Sequence, residues 1–256
     1  MKKLSIVFLA NSFGDDTVEY MPKIAKDLGY DLDLYNLYIG GCPVESHINN
    51  ILTNAKAYEL RVYNKEKEVW ETEYNVSSKE FISSRKWDFF ITQQASHRSG
   101  VVDGLEKVNE LIDLVKGLLV DKSTKIGWNM TWSYPSFSRL EVFGNDFGFD
   151  QDAMYKGILT NVQKVIVGNS NFSFIIPNGI AVKNARVYLR DELLHRDDLH
   201  LSLEFGRYLA GLTAIAVLLN DDLEEVLYHP EKVPAEIRDL FKRCALDAID
   251  EINKIN

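Results

Sequence analysis

Cysteine is scarce in this chain: Cys42 and Cys244 are the only two among 256 residues. Two cysteines make no disulfide framework, and free thiols are the plain expectation. Positive charge is also short. Lys and Arg total 29 against 38 Asp and Glu, for a net charge of −9. A protein that neutralises phosphates needs a basic face, so this balance argues against nucleic acid and anionic membrane surfaces as partners. No apolar run approaches the roughly 20 residues of a membrane span. Glycine and proline number only 15 and six, and no tract rich in them divides the chain. A single domain over residues 1–256 follows. There is no His-x-His, no HExxH and no cysteine cluster, so no metal is expected, and no other cofactor.

The chain opens on Met1-Lys2-Lys3 and an apolar run, which imitates a secretion signal. The run is only about seven residues long, and no small-x-small cleavage site follows. Cleavage there would also remove the segment leading to Ser12. The segment reads as the first strand of a cytoplasmic protein; a secreted or periplasmic protein would need a leader trimmed from this sequence.

Hydrophobic residues make up 46% of the chain, enough for a sizeable core. Five apolar stretches read as buried strands: Leu4–Ala10, Asp31–Ile39, Asp88–Thr92, Lys125–Asn129 and Phe172–Ile176. Helical patterns alternate with them, over Thr17–Leu28, Val44–Ala57, Val102–Leu119, Gln151–Val167, Leu203–Leu219 and Pro234–Ile255. Such alternation predicts parallel strands joined by right-handed crossovers, hence an α/β, three-layer, flavodoxin-like fold with a five-stranded parallel sheet. One segment breaks the pattern. Residues 58–74 carry alternating apolar and charged residues around Asn64-Lys65-Glu66-Lys67, which predicts an inserted β-hairpin. It is a solvated ornament, a wall of the pocket, or a contact between copies in a homo-oligomer.

In open α/β sheets, ligands sit outside the carboxyl ends of the strands. That rule selects Ser12 after the first strand, Gly40-Gly41 after the second, and Gln93-Gln94-Ala95-Ser96 after the third. It also selects Asn129 through Tyr134 after the fourth. Each has a bland alternative. Ser12 could simply cap a helix. Gly40-Gly41 could be a plain turn. The Gln pair could be a polar sheet edge, and Trp128 is best explained as core. Late in the chain stands Asp197-Asp198-Leu199-His200, where a carboxylate three residues before an imidazole can orient it. Glu192 and His195 repeat that spacing, but in a more charged and exposed-looking stretch. His200 instead precedes a long apolar helix. His97 ranks next, beside the third strand's exit. Asp15-Asp16 hints at Mg²⁺, but that use needs a carboxylate after strand three, where Gln93-Gln94 stand.

Taken together and in order, these residues resemble the SGNH (GDSL-like) hydrolase superfamily. Ala10-Asn11-Ser12-Phe13 is similar to its first block, Ile39-Gly40-Gly41 to its second and Asp197-Asp198-Leu199-His200 to its last. The wider pattern resembles a poorly characterised bacterial family of SGNH type, over nearly the whole chain. That pattern includes Trp87-Asp88, Thr131-Trp132, Ile176-Pro177, Asn184-Ala185-Arg186 and Gly206-Arg207-Tyr208. The chain departs from the superfamily at two blocks. Ala10-Asn11 replaces Gly-Asp before the serine, and Gln94-Ala95-Ser96-His97 replaces Gly-x-Asn-Asp.

The resemblance implies a serine esterase acting on small acyl esters, with carbohydrate acetyl esters a natural class. Ser12 is the expected nucleophile, His200 the base and Asp197 its orienting carboxylate. Ser12, Gly41 and Gln94 are the expected oxyanion donors, with Gln93 the other choice for the third. Gln93, Ser96, Asn129, Trp132, Tyr134 and Arg186 are the expected substrate contacts. Trp132 and Tyr134 would stack on a sugar, and Arg186 would meet an acidic one. The alternatives are a non-catalytic flavodoxin-like binding module and a carbohydrate-binding relative that has lost activity.

Overall fold

The strand–helix alternation builds one twisted sheet with helices on both faces. A computed structural model describes residues 1–255. Among them, the strands are β1 (Lys2–Ala10), β2 (Tyr30–Tyr38), β3 (Tyr58–Asn64), β4 (Val69–Val76), β5 (Phe89–Thr92), β6 (Lys125–Asn129) and β7 (Phe174–Ile176). The helices in the first half are α1 (Ser12–Val18), α2 (Met21–Asp27), α3 (Val44–Thr53), α4 (Ser78–Ile82), α5 (Ser96–Ser99) and α6 (Val108–Leu118). Those in the second half are α7 (Glu141–Phe147), α8 (Gln151–Val165), α9 (Asn178–Ala185), α10 (Asp191–Leu194), α11 (Phe205–Leu219) and α12 (Ala235–Asn253).

The sheet order is β4-β3-β2-β1-β5-β6-β7. The five strands β2, β1, β5, β6 and β7 are parallel, as the alternation requires. β1 lies at the centre, with Ile6 opposite Leu34 on one side and Phe89 on the other. Its last five residues, Ile6 to Ala10, are wholly buried because helices cover both faces. α11 packs against α1, α2, α9 and α12 on one face, while α3, α4 and α6 pack together elsewhere.

The sheet has seven strands rather than the expected five. The hairpin at residues 58–74 forms, but it is not a separate appendage. β3 pairs antiparallel with β2, Tyr38 opposite Glu59 and Tyr35 opposite Val62, and β4 pairs with β3. The outer edge of β2 offers unpaired backbone groups, and the hairpin satisfies them. The helix expected over Thr17–Leu28 is two helices, α1 and α2. Pro22 lacks an N–H and sits in the first turn of α2, where a proline fits a new helix better than the middle of an old one. α3 stops at Thr53 because Asn54 adopts the left-handed conformation, φ +53°.

From β1 the chain goes to β2 in one direction and later to β5 in the other. The crevice between the carboxyl ends of β1 and β5 is therefore the topological switch point, where such sheets bind ligands. Both cysteines are buried and free. Among the described residues, no helix is long and apolar enough to cross a membrane.

Candidate active site

The chain leaves β1 at Ala10 and turns at once into α1. Asn11 makes the turn. Its backbone is extended (φ −133°, ψ −157°), and its Oδ1 accepts the Phe13 N–H at 3.1 Å. Asn11 is thus the cap of α1, which leaves the Ser12 hydroxyl free of that duty. Gly14 lets the helix lie this close to the strand: a Cβ there would stand 2.5 Å from the Ala10 Cβ.

Ser12 Oγ lies 2.9 Å from His200 Nε2, across 188 positions of sequence. His200 Nδ1 lies 2.8 Å from Asp197 Oδ2. Asp197 Oδ1 accepts the backbone N–H groups of His200 at 2.8 Å and Leu199 at 3.0 Å. Burial tends to raise the Asp197 pKa, but those amides and the His200 ring outweigh it and hold the carboxyl below its usual range. An ionised Asp197 keeps the His200 proton on Nδ1. Nε2 is then an acceptor aimed at the Ser12 hydroxyl.

Three contacts fix the loop that carries His200. His195 and Leu201 form an antiparallel bridge that closes it. Trp132 Nε1 donates to the Leu199 carbonyl at 2.9 Å. Asp16, one turn beyond Ser12 on α1 and fully buried, takes Arg196 and Arg207 on Oδ1, both at 2.8 Å, and the Leu201 N–H on Oδ2 at 2.9 Å.

A chain of buried amides runs across the carboxyl ends of four strands. Asn178 Nδ2 donates to Asn129 Oδ1 at 2.8 Å, and Asn129 Nδ2 to Gln93 Oε1 at 2.7 Å. Gln93 Nε2 donates to Asn11 Oδ1 at 2.8 Å, and Asn11 Nδ2 to the Cys42 carbonyl at 3.1 Å. The chain ends against the Gly40-Gly41-Cys42 turn. Gly41 has φ +62°, the left-handed region that favours glycine. Neither the Ser12 nor the Gly41 backbone N–H is engaged by another described residue.

A cavity of about 440 Å³ opens beside these groups. Its lining includes Ser12, Gly41, Ser96, Tyr134 and His200. Asn11, Gly40, Tyr38, His97, Val142 and Leu199 also line it, and of the last four only His97 is a candidate from the sequence. Tyr38 ends β2 and was hidden as a strand residue; Arg61 of β3 lies over its ring at 4.0 Å and pairs with Asp15 at 2.7 Å. The hairpin therefore backs one wall. Burial pushes Asp15 up to about 6 against the opposing Arg61 charge.

Five expected site residues lie elsewhere. Gln94 is fully buried; its Nε2 donates to the Gly104 carbonyl at 2.7 Å and its Oε1 accepts from Val44 and Ala95. It does not border the cavity, so its amide cannot reach an oxyanion there. Gln93 and Asn129 are held in the amide chain and do not border the cavity. Trp132 is fully buried and stacked on Phe13 at 4.0 Å, so it offers no face to a sugar. Arg186 is largely buried and engaged with Asp191 at 2.8 Å and Ser133 at 2.7 Å. An arginine so paired cannot reach an acidic ligand. The rival His195 is not exposed: burial and then Arg186 push it down to about 3. Among the described residues, no cluster of His, Cys, Asp and Glu could hold a metal.

This mostly parallel sheet, with a serine opening the helix after its first strand, has the fold of the SGNH-type hydrolases. Two solved structures share that fold at low identity. One, from Slackia heliotrinireducens and provisionally named an SGNH hydrolase, is 16% identical, with TM-score 0.52 over 85% of this chain and 100% of that one. The other, from Parabacteroides merdae and provisionally named a GDSL-like lipase, is 13% identical, with TM-score 0.50 over 82% and 93%. A family model described as a domain of unknown function, DUF4886, matches residues 5–248, and the chain belongs to that family. A crystal structure of a DUF4886 family protein from Bacteroides uniformis is 30% identical, with TM-score 0.90 over 97% of this chain and 95% of that one. No curated protein matches the chain.

Proposed function

We propose that this protein is a serine ester hydrolase of the SGNH type, acting on small acyl esters. The observation that carries the reading is the unbroken line from Asp197 through His200 to Ser12, with 2.8 Å and 2.9 Å contacts, at the edge of a cavity. A hydroxyl is a weak nucleophile alone and becomes useful beside a base that a carboxylate orients.

Ser12 Oγ attacks the ester carbonyl carbon while His200 Nε2 takes its proton. The carbonyl oxygen becomes an oxyanion, held by the N–H groups of Ser12 and Gly41. Collapse breaks the bond to the alcohol, which leaves with the proton from His200. Water then repeats the sequence on the acyl-Ser12 ester and releases the acid. Asp197 stays ionised throughout and stabilises the imidazolium.

The cavity suits a short acyl group, and carbohydrate acetyl esters are the class that the resemblance names. With Trp132 buried, a sugar would meet the half-buried Tyr38 instead of an indole. A fluorophosphonate probe tests the reading. The protein should be labelled on the peptide holding Ser12, and Ser12→Ala should not react. A wild-type protein that neither takes the label nor turns over any ester would instead be a binding module.

A further inference from the structure

We propose that the Ser96 hydroxyl is the side-chain donor of the oxyanion hole and that Tyr134 positions it. This inference deepens the esterase reading and rests on it. A tetrahedral oxyanion can accept a third hydrogen bond beyond two backbone amides. The amides expected to supply it, Gln93 and Gln94, are fully buried and neither borders the cavity. A different donor must serve if there is one.

Ser96 and Tyr134 border the same cavity as Ser12 and Gly41. Ser96 Oγ and the Tyr134 hydroxyl lie 2.9 Å apart, with the residues only 8% and 2% exposed. The pair owns two hydroxyl hydrogens. One lies between the two oxygens. Neither oxygen has another partner among the described residues, so the second hydrogen has the cavity to point into. Acidity decides which one it is. Burial raises the Tyr134 pKa, but a phenol remains more acidic than an aliphatic alcohol and is the better donor of the two. Tyr134 therefore donates to Ser96, and the Ser96 hydrogen is the free one. Accepting a hydrogen bond also polarises a hydroxyl and strengthens it as a donor.

The surroundings hold both oxygens still. The Gln94 carboxamide oxygen accepts the Ala95 N–H at 2.8 Å and the Val44 N–H at 2.9 Å, which pins the turn into Ser96. Arg186 donates to the Ser133 carbonyl at 2.8 Å and the Tyr134 carbonyl at 3.4 Å. Gln151 donates to that Tyr134 carbonyl at 2.8 Å. The Tyr134 ring meets Phe143 edge-on at 5.6 Å. Gln94 and Arg186 thus act on the site through Ser96 and Tyr134, without touching a substrate. A fixed donor is the kind that stabilises a developing charge, because it needs no reorganisation during the reaction.

The test compares wild type with Ser96→Ala, Ser96→Thr, Tyr134→Phe and His97→Gln, using p-nitrophenyl acetate turnover and inhibition by a small boronic acid that adds to Ser12. Ser96→Ala should lower kcat by about 10²-fold with KM little changed, the scale of one lost oxyanion donor. The inhibition constant of the tetrahedral boronate should rise by the same factor, and the fluorophosphonate should still label Ser12. Tyr134→Phe should show a smaller loss of the same type. Ser96→Thr should recover most of the rate, and His97→Gln, which alters the rival polar side chain bordering the cavity, should not reproduce the joint kcat and boronate losses of Ser96→Ala. An active wild type with full kcat in Ser96→Ala overturns the proposal but leaves the esterase reading standing. So does a kcat loss in His97→Gln in place of Ser96→Ala, or a kcat loss in Ser96→Ala with no change in boronate affinity. A wild type that neither hydrolyses esters nor takes the label removes both.

Discussion

Asp16 Oδ2 accepts the Leu201 backbone N–H at 2.9 Å, joining residues 185 positions apart. The bond ties the helix that begins with Ser12 to the residue after His200. The other oxygen of the same carboxylate takes Arg196, the residue before Asp197. One buried group therefore grips both ends of the Asp197–His200 segment. The contact between Ser12 and His200 depends on this clamp as much as on either residue.

Replacing Asp16 tests that dependence. Asp16→Asn keeps the shape but leaves Arg196 and Arg207 without their buried counter-charge. Breaking a buried pair on one side typically costs about 3–5 kcal/mol. Thermal unfolding should show a clear loss of stability. Ester turnover should fall at least about tenfold in kcat, the equivalent of 1.4 kcal/mol in the barrier. Full kcat in a folded variant would detach the clamp from the site.

Asn11→Asp probes the amide chain. Asn11 gives an N–H to the Cys42 carbonyl and an oxygen to Phe13 and Gln93. A carboxylate there would set an oxygen against the Cys42 carbonyl and push the Gly40-Gly41 turn away. Losing one oxyanion donor is worth about 10²–10³ in rate, and kcat should fall within that range. The superfamily pattern has Asp at this position. Wild-type kcat in the Asp variant would show that the donor to Cys42 does not matter.

Trp132→Phe separates two roles for one residue. A sugar platform would raise KM for carbohydrate esters and spare p-nitrophenyl acetate. The buried indole instead donates to the Leu199 carbonyl next to His200. The variant should therefore lose kcat on both substrates to a similar extent. Leaving a buried carbonyl unpaired costs about 1–3 kcal/mol, which melting should register. A change confined to carbohydrate KM would restore the platform.

Acid stability should depend on Asp191. Burial raises its pKa, but the Arg186 charge and the Ser136 amide outweigh this and pull it down to about 2. A carboxyl whose folded pKa lies below its unfolded value of about 3.9 stabilises the fold at higher pH. That contribution is present above about pH 4 and is lost as pH falls toward 2. Urea midpoints should show about 1–2 kcal/mol of this kind in wild type. Asp191→Asn should be weaker at pH 7 and change less between pH 4 and pH 2. Parallel pH profiles for the two proteins would rule the pair out as the source.

Strand ends were the legible part. A buried apolar run followed by a small polar residue identifies the tip of a parallel strand, and that rule brings Ser12, Gly41, Ser96 and Tyr134 to one cavity. What the rule cannot read is direction. Gln93 and Asn129 stand at strand ends too, but their amides bond to each other rather than to the open side. Trp132 and Arg186 look like surface recognition residues in a sequence, because composition does not show that Phe13 and the Leu199 carbonyl occupy one and Asp191 and Ser133 the other. The hairpin is visible in its alternation, while its attachment to β2 is not, since alternation does not say which strand edge a hairpin pairs with. Asp16 reads in the sequence only as part of an acidic pair, although it stands one turn after Ser12 and Arg196 and Arg207 flank His200.

The most direct measurement of the central claim is the rate of p-nitrophenyl acetate hydrolysis by wild type and by Ser12→Ala, with equal melting temperatures confirming equal folding. Measurable turnover in wild type and a loss of at least about 10³-fold in the variant are predicted, as for removal of a nucleophile from a working triad. Equal rates in the two proteins would contradict the account, because the hydroxyl beside His200 would then have no part in the reaction.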